Sequence, residues 1–305
     1  MIPAVFILNP AAGSGRAGSV WNSCGAAALA ALPGAVCLRT QRRGHAAELA
    51  RGALEDGAQR LVAVGGDGTF SEVLEGVMGA APELRRAAAL AAWPAGSGCD
   101  LARHLRYPRG AVELVKLIAA GRRRAVDVGR ISYQGLDGKP RRRHFINMAA
   151  FGLAGDVAHH IHRMGKFFGG TLSYAVSSGW MLLTARAKEL KLQADGADLS
   201  GRYHMGVVAN TSSMGGGMLV APAAREDDGK FDLVLVSDMS RLRLWKNFPR
   251  LYRGTHLSEP GISLRRISCL RADSDATVCL NIDGEADGML PAVFEMLPGA
   301  VNVIC

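Results

Sequence analysis

Three glycine-rich turns follow three short apolar runs: Asn9-Pro10-Ala11-Ala12-Gly13-Ser14-Gly15, Gly65-Gly66-Asp67-Gly68-Thr69, and Pro94-Ala95-Gly96-Ser97-Gly98-Cys99-Asp100. Glycine lets the backbone approach a phosphate and aim its N–H groups at the anion, and a following helix N-terminus adds a favourable dipole. One such turn is ordinary. Three on one edge, one of them holding an acid, point to a phosphate-bearing ligand. A second acidic motif, Asp283-Gly284-Glu285, follows the apolar run 277–282, and alternation lets both acids face one side.

Other chemistries fit less well. Gly13-Ser14-Gly15-Arg16-Ala17-Gly18 matches the dinucleotide fingerprint, but Arg39 and Thr40 stand where an acid would meet the ribose. NAD is therefore disfavoured, while an NADP-dependent oxidoreductase stays open. No Gly-Lys-Ser/Thr follows the turn, so the Walker pattern fails. The six cysteines show no metal-ligand spacing and read as buried thiols of a reducing cytoplasm. His159, His160 and His162 lack the spacing of a zinc helix and read as solvated.

The elements that must position these turns alternate in a βα manner. Strands are expected at 4–8, 35–38, 61–64 and 88–93, with helices at 26–32, 45–54 and 71–78, which together predict a doubly wound parallel sheet. After about residue 124 the pattern changes. Strands are expected at 188–195, 231–236, 267–271 and 277–282, with a helical stretch near 155–185 inserted. The expectation is a Rossmann-like α/β nucleotide-binding domain over 1–128, a mainly antiparallel β-sandwich over 129–293, and an active-site cleft between them. The strand-like tail within 294–305 is a candidate to complete the first domain.

Bulk composition agrees with packed cores: 49% of the 305 residues are hydrophobic and 21% charged. The net charge of +9, with Arg122-Arg123-Arg124 and Arg141-Arg142-Arg143, favours anionic partners. No aromatics interleave with these triplets, which argues against nucleic acid. The start lacks the basic region and cleavage site of a signal peptide. Phe167 to Ala185 carries no formal charge but is diluted by glycine and serine, so it reads as an amphipathic helix rather than a span.

These motifs carry a resemblance. Gly65 to Thr69 followed by Ser71-Glu72-Val73 resembles the nucleotide-binding signature of diacylglycerol, sphingosine and ceramide kinases and their bacterial stand-alone relatives. Ordered blocks extend it: Asn9-Pro10 with Gly13; Thr40 with Gly44-His45-Ala46 and Glu48; Pro94 to Arg103; then Asp127, Asn147, Gly152 and Asp156. Later come Gly215 to Met218, Asp227-Asp228-Gly229, Gly254 with His256, and Asp283 to Glu285. NAD kinases share the core motif but are not expected to carry the later blocks. Ser71, Ser97 and Cys99 depart from the usual residues.

The resemblance implies an ATP- and Mg2+-dependent lipid kinase. It places ATP along Asn9, Gly13, Thr40, Gly65, Gly66, Asp67, Gly68, Thr69, Glu72, Gly96, Ser97 and Gly98. Asp67, a poor direct phosphate contact because like charges repel, suits Mg2+ instead. Asp283 is implied as the general base, with Glu285 orienting or assisting, and Asp227 and Asp228 as a structural Mg2+ loop. Arg16 and Lys166 are candidate phosphate contacts. Diacylglycerol is the first-choice acceptor; ceramide, a sphingoid base and phosphatidylglycerol offer a suitable hydroxyl too. A cytoplasmic enzyme touching anionic membrane transiently is expected, with a homodimer as one option. The alternatives are an NAD kinase, the NADP oxidoreductase, and a kinase-derived lipid-binding module without catalysis.

Overall fold

In the computed structural model, the described residues are 4–96, 98–164 and 185–305, without the side chains of 158 and 160–164. Ser97, Lys166 and the stretch 167–184 lie outside them. So do the side chains of His160 and His162. The chain divides into two compact units, Met1–Asp127 with Gly299–Cys305, and Val128–Pro298.

The first unit alternates β1 (Val5–Leu8), α1 (Arg16–Ala31), β2 (Val36–Arg39), α2 (His45–Glu55), β3 (Arg60–Gly65), α3 (Asp67–Met78), α4 (Pro82–Ala87), β4 (Ala89–Pro94), α5 (Asp100–His104) and α6 (Ala111–Ala120). Strands β2, β1, β3 and β4 are parallel neighbours in that order, and Val303 of the chain's last strand pairs in parallel with Leu90. From Gly299 onward the tail lies in this unit. Buried Tyr107 donates its hydroxyl to the Ile304 carbonyl, and Asn302 Nδ2 donates to Arg86 O at 2.9 Å, holding it there.

Because β1, β3 and β4 are covered on both sides, they are runs of buried apolar residues rather than alternating ones. Phe6, Trp21 and Trp93 pack with ring centroids 5.0 to 6.1 Å apart under the sheet edge that carries the turns. Helices α4, α5 and α6 were not anticipated; α4 and α5 are too short for a 3.6-residue period to declare itself.

β5 (Arg123–Gln134) leads into the second unit, which continues with β6 (Pro140–Phe145), β7 (Met148–Gly152), α7 (Leu153–Met164), β8 (Lys188–Ala194), β9 (Ala197–Asp198), β10 (Gly201–Ala209), β11 (Phe231–Ser237), the helix Arg241–Leu251, β12 (Ile262–Ile267), β13 (Cys269–Asp273), β14 (Cys279–Ile282) and β15 (Glu285–Ile304). The pairings β5–β6, β8–β9 and those that follow are antiparallel. The latter run from β10 through β7, β14, β15, β13 and β8 back to β10, with β11 and β12 continuing from β10. Phe145 stacks on Phe231 and Phe151 packs on Phe294 in the core these strands enclose.

The single strand expected at 267–271 is two strands. The chain breaks at Ser268, where the Asp195 carboxylate accepts the amides of Ser268 and Cys269. β12 thus stays with β11 while β13 joins β8 and β15. β13 alternates buried and exposed residues, whereas β12 exposes four in a row, including adjacent Arg265 and Arg266.

Candidate functional site

The three glycine turns meet. Asn9 Nδ2 donates to Thr69 Oγ1 at 3.2 Å, tying the first turn to the second. A Cβ on Gly13 would lie 2.5 Å from Ala95 O, and one on Gly96 would lie 2.4 Å from the Gly66 Cα. Real Cβ atoms do not come so close, so the turns converge only because side chains are missing there. Thr40 joins the same edge, its amide donating to Leu8 O at 2.9 Å.

Four helices begin at this edge, and two of them have their first amides taken by acids from elsewhere. Glu72 accepts from Gly44 N at 2.9 Å and Ala46 N at 3.2 Å, capping α2; Asp67 Oδ1 accepts from Asp100 N at 2.8 Å, capping α5. Glu72, expected along the nucleotide, is therefore spent on holding α2 and the loop before it. The starts of α1 and α3 have no side-chain cap. Backbone carbonyls already take the amides of Gly15, Arg16 and Ala17 at α1 and of Thr69 at α3, so what these two starts offer an anion is chiefly the helix dipole. A small hollow lined by Gly65, Gly66, Asp67, Pro94 and Cys99 opens beside them.

Cys99 precedes α5 in the left-handed region at φ 53°. Burial and the neighbouring Asp67 charge push its thiol up to about 11, so it is a neutral thiol and no nucleophile at neutral pH. Buried Asp100 pairs with Arg103, whose other nitrogen donates to Gly98 O at 3.0 Å and pins the third turn. None of the six cysteines is fully buried, contrary to expectation: five are half-buried and Cys305 is exposed.

In the second unit, Asp283 closes β14 at φ 47° and is buried. Its Oδ1 accepts the amides of Asn147 and Met148 and its Oδ2 that of Ile146, all at 3.0 Å. Burial pushes the carboxyl up to about 6, against the opposing pull of those amides and Arg143. A carboxyl ordinarily ionised by pH 4 thus becomes a stronger proton acceptor.

Glu285 lies two residues on and pairs with Arg143 Nη1 at 3.1 Å. The same nitrogen reaches Asp287 at 2.9 Å, and Asp287 also accepts from Arg141 at 3.0 Å and from the Tyr133 hydroxyl at 2.7 Å. These acids hold the Arg143 charge well above its ordinary range. Sequence reading missed Tyr133, Arg143 and Asp287. The period of two from Asp283 through Glu285 to Asp287 was the available signal for the last. Arg141 and Arg143 were counted toward an anion-seeking surface, but both are paired with acids, Arg141 at the surface and Arg143 largely covered.

Several other flagged residues have partners of their own in the structure. Asp228 pairs with Arg266 and Asp227 with Arg225 at 3.3 Å, so an arginine stands where the expected loop cation would. No group of three metal-capable side chains occurs among the described residues. His256 is buried with Nε2 at 3.0 Å from Val220 O, and burial lowers its pKa, leaving a neutral packing residue. Gly254 has no room for a Cβ beside Pro222, and Asp127 accepts the Gly299 amide at 2.7 Å.

Residues 3–131 match the diacylglycerol kinase catalytic domain, and residues 147–305 match the YegS C-terminal NAD kinase beta sandwich-like domain. A diacylglycerol kinase of Staphylococcus carnosus (strain TM300) is 29% identical over 264 residues, which are 87% of this chain and 82% of that protein. One from Staphylococcus aureus (strain Newman) is likewise 29% identical, over 87% of this chain and 80% of its own length. In fold, the chain is similar to a crystal structure of a diacylglycerol kinase from Bacillus anthracis str. Sterne, with TM-score 0.72 and 20% identity over 99% of this chain and 96% of that one. A yeast NADH kinase complexed with NADH shares the fold more loosely, with TM-score 0.50 and 12% identity over 99% and 82%. With both halves matched in order, an α/β domain followed by a β-sandwich-like one, the chain belongs to the diacylglycerol-kinase-like family of kinases.

Proposed function

We propose that the protein transfers the terminal phosphoryl group of ATP to the hydroxyl of a lipid, diacylglycerol first among candidates. The observation that carries this reading is Asp283: a buried carboxyl held by three amides, with its proton affinity raised toward neutrality. Its Oδ1 is occupied by two amides, and Oδ2 by one. Oδ2 keeps capacity for a hydroxyl hydrogen. As the hydroxyl oxygen bonds to the terminal phosphorus, the bridging P–O bond breaks, ADP departs with that electron pair, and the proton passes to Oδ2. Even at a pKa near 6 the carboxylate cannot ionise an alcohol beforehand, so it acts late, once attack has begun. Glu285 and Asp287 hold Arg143 nearby, and Tyr133 holds Asp287 in turn, which makes the turn rigid.

The uncapped starts of α1 and α3, with Asn9, Gly13, Thr40 and Gly65 to Thr69 around them, suit the nucleotide phosphates. Asp67 fits a magnesium ion. Its Oδ2 faces space kept open by Gly98, where a Cβ would come within 2.7 Å, and a hard oxygen donor plus substrate phosphates is the usual Mg2+ arrangement. The ion would supply neutralisation of phosphate charge. The pair Asp227 and Asp228 does not fit a second ion, because Arg225 and Arg266 already neutralise it.

The test is to incubate the protein with γ-labelled ATP, Mg2+ and a panel of dispersed lipids, with NAD alongside. Label in one lipid class supports the reading and names the acceptor. Label in NAD alone moves the assignment to the NAD kinase that the looser fold likeness suggests, and label in neither, with ATP bound, rejects it.

A further inference from the structure

Helix Arg241–Leu251 has two apolar faces. Leu244 is buried, with Phe248 and Leu251 packed against the second unit's core. That face explains why the helix folds here. On the outward side Leu242 is 65% exposed, Trp245 43% and Tyr252 42%. Together with exposed Pro249 they stand at i, i+3, i+7 and i+10, one stripe on a helix of 3.6 residues per turn. Three of the seven exposed large apolar side chains among the described residues fall within these eleven positions, so the stripe is not scatter.

Cations border it. Successive residues turn by about 100°, which puts Arg241 along one margin and Lys246 and Arg253 along the other. The helix's other two arginines are spent: Arg243 and Arg250 both bind Glu259, at 2.7 and 3.0 Å. Arg241, Lys246 and Arg253 are exposed, and none of them pairs with an acid among the described residues. An outward leucine and tryptophan flanked by unspent basic residues is the composition of a helix lying in a lipid interface. The tryptophan ring settles at headgroup depth and the cations meet anionic phosphate. At eleven residues the helix is far too short to cross a bilayer.

We infer that the outer face of helix Arg241–Leu251, with Tyr252 and Arg253, docks the protein on anionic phospholipid membranes. The choice of a bilayer rests on the lipid acceptor proposed above; the amphipathic surface does not. Charge complementarity selects the occupant, since three unspent cations around the stripe would repel one another across a face shared by two copies of this chain.

The full chain is to be sedimented with vesicles of phosphatidylcholine alone and of phosphatidylcholine mixed with phosphatidylglycerol. Wild type should partition onto the anionic vesicles and weakly onto the neutral ones. Lys246→Ala should weaken partitioning about fivefold, as loss of one cation from an anionic surface does. Leu242→Ser with Trp245→Ser should weaken it at least about tenfold, by removing the inserted side chains. Both variants alter exposed groups, so thermal unfolding and phosphorylation of detergent-dispersed lipid should match wild type. Vesicle binding lost in the double variant supports the surface even if no lipid is ever phosphorylated, which would sink only the acceptor assignment. Phosphorylation of lipid with vesicle binding unchanged in the double variant overturns the surface and spares the acceptor. A double variant that loses self-association or RNA capture, while vesicle binding persists, overturns it in favour of that partner.

Discussion

The three glycine turns of the first unit and the Asp283 turn of the second are organised by opposite means. In the first, geometry comes from side chains that are absent: Gly13 approaches the Ala95 carbonyl, and Gly96 the Gly66 backbone, more closely than any Cβ allows. Charged residues there serve as struts, Glu72 for α2 and Asp67 for α5. In the second, geometry comes from side chains that are present and paired, with Asp283 on three amides and Glu285 and Asp287 on Arg143. A backbone-built site holds an anion with little dependence on pH. A buried carboxyl inherits a titration.

Breaking the side-chain half should have the largest effect. Asp283→Asn keeps the volume and removes the proton acceptor, so kcat should fall about a hundred- to ten-thousandfold. Nucleotide affinity, which belongs to the other unit, should stay near wild type in a fluorescent-ATP titration. The titration itself sharpens the contrast. Since the carboxyl must be ionised to accept a proton, kcat/KM should drop about tenfold per pH unit below pH 6 and level off above it. Stability moves the other way. Between pH 4 and 6 the folded state keeps a proton that the unfolded chain releases, so unfolding free energy should fall with rising pH, by up to roughly 3 kcal/mol. Denaturant titrations across that window should show the slope in wild type and lose it in Asp283→Asn.

On the glycine side, Gly96→Ala forces a methyl to within 2.4 Å of the Gly66 Cα. Nucleotide affinity should weaken by at least about tenfold and the melting temperature should drop, because backbone must move to relieve the clash. Glu72→Ala removes two amide acceptors at the start of α2 and should cost about 1 to 2 kcal/mol in urea unfolding, with a smaller loss of nucleotide affinity. Gly52→Ala is the converse control. Gly52 lies inside α2 with nothing near its missing Cβ, so alanine there should stabilise the protein by about 0.5 to 1 kcal/mol and leave activity alone.

Much of this was legible along the chain because local chemistry dictates it. Short apolar runs ending in glycines place β1, β3 and β4 with their turns to within a residue or two. The ordered motifs from Asn9 to Glu285 identify the family. Each of these depends on neighbours in sequence.

Only the tertiary structure decided where the charges are spent. Arg143 finds Glu285 some 142 positions away, Arg266 meets Asp228, and Asp67 reaches Asp100 in the third turn. It also decided that 262–273 is two strands, that the final strand belongs beside β4, and that the outward face of helix Arg241–Leu251 is apolar while its arginines divide into paired and unspent. The physical reason is common to all of these. Backbone propensity and glycine's freedom act between adjacent residues, whereas an ion pair, a strand register or an exposed face exists only once distant segments have been brought within a few ångströms.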